Sequence, residues 1–357
     1  MSKNDTTGSR TPTTRLDPGH PWIPDTHDVE ESLQLKGGLP LSPALVGRAQ
    51  YCPMTTARAH LVDPDSDGFY HCASRCVRRG WLCGQDPVSG RSYEHRKDWL
   101  ESRILMLSEV FCLQLCSYAV MSNHFHVVVE IKPTMAKTLS DEEVAERWLR
   151  LCSQKRQANR TREIEGMLAN AERLAELRKR LGSLSWFMKS LNEPIARAAN
   201  REDGCKGRFW EGRFGSFVLL DETAVVGCMA YVDLNPVRAG IVDEPKRAPF
   251  TSIRRRLTHG GEDGDIAPLV SLEAVGLNLS GYLDLLNWTA ERHRGRLGEP
   301  RRRARQVLRR FGAEPTGWLD SVKLHRRKFR AYGSVDRLER YAQSIGQKWV
   351  KGVRFLA

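Results

Sequence analysis

The stretch SYAVMSNHFHVVVEI, Ser117 to Ile131, consists of two β-rich runs joined at Ser122-Asn123. Branched and aromatic residues fill both runs and the join is short and polar, so it reads as a hairpin. Successive side chains of a strand point to opposite faces, which sends His124 and His126 to one side and Phe125 into the other layer. Upstream, Trp99, Leu100, Ile104, Leu105, Leu107, Val110 and Phe111 recur at helical spacing, predicting an amphipathic helix from about Tyr93 to Leu115. Before it, GFYHCASRC (Gly68 to Cys76) alternates as a strand does and leads to a turn at Arg79-Gly80.

Downstream, three helical segments are expected around 141–160, 161–182 and 184–200, with Ser140 capping an acidic first turn, Asp141-Glu142-Glu143. GRFWEGRFGSFVLL (Gly207 to Leu220) returns to strand character. A helix then runs from Asp221 to about Leu234, where Asn235-Pro236 stops it. Past a loop rich in Gly and Asp near 259–268, four more helices are expected around 281–296, 301–311, 317–330 and 334–346. Strands mixed with helices, without a regular βα repeat, give an α+β fold.

The chain has 357 residues, 40% of them apolar, which suits two lobes or one domain with appendages. Ordinary aliphatic content excludes a collagen-like or wholly disordered chain. The sequence has no long uncharged apolar run and its first residues, MSKNDTTGSRTPTT, have no signal-peptide character, so a cytoplasmic protein without a membrane partner is expected. Nine cysteines, an odd number in no compact framework, read as reduced thiols. Cys72, Cys76 and Cys83 leave a structural zinc site open as an alternative to simple packing in and beside a strand.

The formal net charge of +13 is unevenly spread. Residues 1–65 carry 6 basic and 8 acidic side chains and read as a flexible leader; residues 251–357 carry 22 basic and 11 acidic ones. Within RRRARQVLRRF, Arg301, Arg302, Arg303, Arg305, Arg309 and Arg310 cluster in one helix, and HRRKFR (His325 to Arg330) repeats the theme. Such a cluster is the footprint of a polyanion partner, with a solvated helix face as the plain alternative. Arg75, near the end of the first strand, is a candidate phosphate contact or surface ion-pair partner, and His71, Arg78 and Arg79 lie beside it on or just beyond that strand. Arg208, Trp210 and Arg213 interleave charge and aromatic surface as a single-strand groove does, or as an edge strand with its aromatics turned inward.

Two imidazoles on one strand face form a two-point ligand set for a divalent ion, or else two ordinary surface histidines. Glu130 shares their face by parity. In YVDLNP, Tyr231 and Asn235 are four apart and share a helix face, unless Pro236 turns Asn235 away. No Gly-x4-Gly-Lys-Ser/Thr phosphate loop occurs, so ATP-driven chemistry is not indicated.

Taken together, YHCASR, YAVMSNHFHVVVEI, GRFWEGRFGS and YVDLNPVRAGIV, in that order, resemble the tyrosine transposases of the HUH, single-strand insertion-sequence type, in particular the REP-associated tyrosine transposases. The likeness spans about Gly68 to Ile253. It implies a ferredoxin-like antiparallel sheet with flanking helices, to which residues 254–357 add a basic all-helical DNA-binding region. The implied catalytic domain is 66–253, with a helical insertion at 140–200 that is larger than the family core needs. The resemblance further implies His124 and His126 as ligands of Mg2+ or Mn2+, Asn235 as a third ligand or orienting amide, and Tyr231 as the nucleophile. The partner implied is single-stranded or hairpin DNA, cut and rejoined through a 5′-phosphotyrosine that leaves a free 3′ hydroxyl. A homodimer is one arrangement open to it. Two rivals stand beside this reading: a domesticated DNA-binding protein that kept the fold without the chemistry, and a zinc-stabilised nucleic-acid-binding module.

Overall fold

The computed structural model describes residues 62–77, 83–85, 90–152, 154–259, 269–270, 272–296, 298–324, 329–350 and 352–354. Most of the leader, Arg78, the turn at Arg79-Gly80, most of the Gly and Asp loop, and the second basic run up to Lys328 lie outside the described residues.

Among the described residues the order begins with strand β1 (Gly68–Arg75), helix α1 (His95–Val110), and the hairpin β2 (Leu113–Val120) and β3 (His124–Ile131). Helices α2 (Pro133–Thr138), α3 (Asp141–Leu149), α4 (Gln154–Ala158), α5 (Arg160–Leu168), α6 (Ala171–Leu181) and α7 (Leu184–Glu202) follow, and then β4 (Gly215–Leu219). Ser140 caps α3 as expected, in a full capping box with Glu143. After β4 come α8 (Glu222–Asp233), α9 (Asn235–Arg238), α10 (Ser252–His259), α11 (Leu279–His293), α12 (Arg302–Arg310) and α13 (Pro315–Leu324). Strand β5 (Ala331–Gly333), helix α14 (Val335–Ser344) and strand β6 (Gly352–Arg354) complete the order.

One sheet holds all six strands in the order β2-β3-β1-β4-β5-β6. The first four are mutually antiparallel, whereas β5 and β6 add in parallel beside β4. The α+β class is therefore observed. The expectation of an all-helical C-terminal region is corrected: the last described residues extend the same sheet, because α14 gives the crossover that parallel strands require. The expected boundary at 253/254 falls inside α10. The strand expected over Gly207 to Leu220 shrinks to Gly215–Leu219, since Phe209 and Trp210 turn inward and only Trp210 bridges to Cys76.

Both faces of the sheet are covered, which explains why β3 reads HVVVEI and not as a clean alternation. On one face Tyr70, Phe125, Val127 and Val129 pack with residues of α1, α6 and α7; on the other, Val128 and Leu219 pack with α8 and the C-terminal helices. The three thiols weighed for zinc, Cys72, Cys76 and Cys83, are fully buried in the first core, where burial pushes the Cys83 thiol up to about 12. No disulfide forms among the described cysteines.

Helix α8 is fixed by a buried carboxylate. Asp233 accepts hydrogen bonds from Ser252 Oγ at 2.5 Å, Ile253 N at 3.1 Å and Tyr282 OH at 2.8 Å. Ser252 Oγ in turn lies 3.0 Å from Ser117 Oγ on β2, and the buried Arg256 donates to Cys116 O and Val270 O. Burial raises the Asp233 pKa, while Ser252, Tyr282 and Arg256 favour its charged form. Asp233→Ala strands these donors in the interior and is expected to cost about 3–5 kcal/mol. Urea unfolding at pH 7 measures it, and a loss below about 1 kcal/mol would show that the network does not anchor the helix.

Candidate functional site

The strand register builds the site. In β1 and β3, Arg75 stands opposite His124, Ala73 opposite His126 and His71 opposite Val128. Directly paired residues share a face. His71, Ala73 and Arg75 therefore lie on the side of the sheet that carries His124 and His126. Across four strands the row through His126 reads Ala119, His126, Ala73, Gly215. Small residues on both sides leave room above the imidazole.

His71 Nε2 lies 2.9 Å from His126 Nδ1, a buried hydrogen bond in which one ring donates to the other. The ring centroids of His124 and His126 are 4.9 Å apart, and His124 Nδ1 contacts the amide oxygen of Asn123. The Tyr231 ring stands edge-on to both buried histidines, 5.6 Å from His126 and 5.9 Å from His71. Two motifs far apart in sequence thus converge on one spot.

Pro236 does not end the helical path. Leu234 keeps αR geometry and the chain turns once more as α9, with Arg238 N bonded to Leu234 O at 2.9 Å. A proline in the first turn of a helix gives up no needed hydrogen bond. Tyr231, Asn235 and Arg238 are consequently at i, i+4 and i+7. The Arg238 guanidinium stands over the Tyr231 ring, 4.6 Å from its centroid. Asn235 Nδ2 is buried without a hydrogen-bond partner.

Burial dominates the electrostatics. It holds His71 down at about 3, and, with a smaller contribution from Arg75, His124 at about 4. His126 is held well below the ordinary value by burial first, then by His71, His124, Arg238 and Arg75. All three imidazoles are neutral at pH 7, with lone pairs available to a ligand. Among the described residues no group of three or more His, Cys, Asp or Glu side chains is arranged to hold a metal ion. Glu130 pairs with Lys132 at 3.2 Å, away from the histidines.

Sequence reasoning took His71 only as a neighbour of Arg75 and missed Arg238. The spacing of Arg238 from Tyr231, two helical turns, was the available signal, hidden by Pro236.

Of the residues expected to meet DNA, Arg75, Arg208 and Arg213 are exposed. Trp210 is corrected: it is 8% exposed, packs edge-on against Phe125 and donates its indole N–H to Asn192 O. It is a core residue and offers no stacking surface. Arg301, Arg302, Arg303, Arg305, Arg309 and Arg310 are all exposed, while Ala304, Val307 and Leu308 face inward. Arg305 approaches Glu299 at 3.6 Å. No helix among the described residues is long and apolar enough to cross a membrane.

No known family model matches the sequence, and no curated protein does. A solved structure, that of a REP-associated tyrosine transposase bound to a REP hairpin, is similar over 57% of this chain and 92% of that one, at 13% identity and a TM-score of 0.33. At that score the likeness carries no weight by itself.

A pH dependence follows from the buried imidazoles. Their folded pKa values lie below the unfolded one near 6.5, so the unfolded chain takes up protons that the folded chain refuses. Their stabilising contribution is present above about 6.5 and is lost as pH falls toward 4 and 3. Removing one such group in His71→Phe is expected to flatten the stability profile of metal-free protein near pH 5, by close to 1.4 kcal/mol per pH unit. Urea unfolding in chelator across pH 4.5–6.5 reads this; a slope equal to wild type means His71 titrates normally in the fold.

Proposed function

We propose that the protein is a metal-dependent DNA strand transferase with a ferredoxin-like core, cutting and rejoining single-stranded or hairpin DNA through Tyr231. The observation that carries this reading is the convergence of Tyr231 with the His124 and His126 strand, 5.6 Å between the Tyr231 and His126 rings. The topology supports the ferredoxin-like reading, since a βαββαβ order with strands 2-3-1-4 antiparallel is the split βαβ arrangement.

The donor set suits Mg2+ or Mn2+ with open positions. His124 and His126 are neutral and share a face. Asn235, one turn beyond Tyr231 on the same helix face, would add its amide oxygen as a third ligand or orient the site through its NH2 group, whose nitrogen is buried without a partner. Such an ion neutralises a phosphate oxygen and helps orient the phosphorus for attack. His71 would hold the His126 ring through Nδ1, which leaves Nε2 for the metal.

The remaining steps belong to side chains of this chain. A phenol of ordinary pKa near 10 is mostly neutral at pH 7 and needs a cation to favour the attacking oxyanion. Arg238, over the Tyr231 ring, is that cation. Arg75, exposed beside His124, would contact the scissile phosphate. Attack of the Tyr231 oxygen on phosphorus expels the 3′ oxygen and leaves the 5′ phosphate on the tyrosine. The reverse attack by a 3′ hydroxyl restores the strand without ATP. The exposed arginine row of α12 would grip the duplex part of a hairpin.

Labelled single-stranded oligonucleotides containing hairpins, incubated with Mn2+, are expected to yield a denaturant-resistant protein–DNA adduct. Chelator, Tyr231→Phe and His124→Ala should each reduce it to background, and His71→Asn should weaken Mn2+ affinity about 10- to 100-fold. DNA binding with no adduct under any condition would instead identify a non-catalytic DNA-binding protein.

A further inference from the structure

Beside Arg238, α9, α11 and α13 close around a small cleft of about 80 Å³. Four basic side chains, Arg238, Arg292, His293 and Lys323, line it above Leu234 and Val237, and no carboxylate does. Its volume matches two or three waters at about 30 Å³ each and lies well under the ~300 Å³ at which small-molecule pockets begin. A single tetrahedral oxyanion fits the space; a base or nucleoside does not.

Helix C-termini alone would ask for some of this charge. Arg292 and His293 end α11 and Lys323 ends α13, and each helix end carries about half a negative charge. Arg292 and Lys323 alone bring two positive charges against that total of about one. Lys323 also pairs with Asp320 at 3.4 Å, but both are more than 60% exposed and the pair is screened by solvent. A positive excess remains in the cleft after both offsets.

We propose that this cleft seats one backbone phosphate of the nucleic acid, next along the strand from the phosphate that Tyr231 attacks. The position relative to the nucleophile rests on the strand-transfer reading, because Arg238 both lines the cleft and stacks on Tyr231. The two guanidinium faces of the site thereby act on adjacent phosphates: Arg75 on the scissile one, Arg238 and Arg292 on its neighbour. The strand is held on both sides of the bond to be broken.

The test measures binding of labelled oligothymidine to the full chain as a function of salt. Neutralising one phosphate of a single strand contributes about 0.7 to the slope of log K against log salt. The Arg292→Gln, Lys323→Gln double variant is expected to show a slope shallower by about 0.7. A charge-matched control, Arg173→Gln with Lys179→Gln on exposed positions of α6, is expected to keep the wild-type slope. An unchanged slope in the cleft variant, or an equal change in the control, overturns the proposal. An unchanged oligothymidine slope together with lost inorganic phosphate binding assigns the cleft to free phosphate and also overturns it. The adduct assay separates the two readings: a shallower slope with no wild-type adduct keeps the cleft and removes strand transfer, whereas an adduct with an unchanged slope removes the cleft alone.

Discussion

The pairing of β1 with β3 is the constraint on which the rest depends. Its antiparallel register sets Ala73 against His126 and Arg75 against His124. A slip of one residue would carry His71 and Arg75 to the opposite face, into the core formed with α1 and α7. That register also surrounds His126 with Ala119, Ala73 and Gly215, so the imidazole is buried by what lies above it and not by its neighbours in the sheet. Burial, in turn, keeps the three histidines neutral. The packing alone thus keeps nitrogen lone pairs on these imidazoles at neutral pH, as the proposed metal site would require.

The second requirement is that Tyr231 meet this strand, and it is met two residues away. Asp233, on the other side of α8, ties the helix to α10 and α11 and, through Ser252, to β2. A buried carboxylate is a costly anchor unless all its donors are supplied, and here three hydrogen bonds and a nearby buried Arg256 supply them. In YVDLNP, then, one face of the helix turn presents Tyr231 to the histidines and the other carries the attachment. The same division explains why the C-terminal helices are not an independent handle. Tyr282 of α11 completes the Asp233 network, and Trp318 of α13 lies in the core beneath α8.

Much of this was legible in the sequence. The hairpin over Ser117 to Ile131, the shared face of His124 and His126, and the helix bearing Tyr231 all follow from local periodicity, and local periodicity survives folding. What could not be read were properties set by partners distant in sequence. The role of His71 depends on β1 lying beside β3. Trp210 sits in an interleaved basic and aromatic run, and its inward turn is decided by Phe125 on β3 and Asn192 on α7. The short strands β5 and β6 carry too few residues for a period to emerge, and they exist because β4 offers an open edge. Pro236 misled for a different reason: proline stops a helix in mid-course but starts one readily, and the sequence does not say which of these applies.

The distribution of charge takes a different meaning once the elements are in place. By segment, the basic excess belongs to the last third of the chain; in space, part of it returns to the neighbourhood of Tyr231. Arg292 and Lys323 come from helices that pack on α8 and meet Arg238 one turn beyond Asn235. The six arginines of α12 remain an outward row, joined to the same α11 by close packing. A polyanion bound along α12 therefore lies on an element rigidly continuous with the one that reaches Tyr231. Under the strand-transfer reading, binding energy gathered on the arginine row would help orient the strand at the tyrosine, because α12 packs on α11 and α11 contacts α9 just beyond Tyr231.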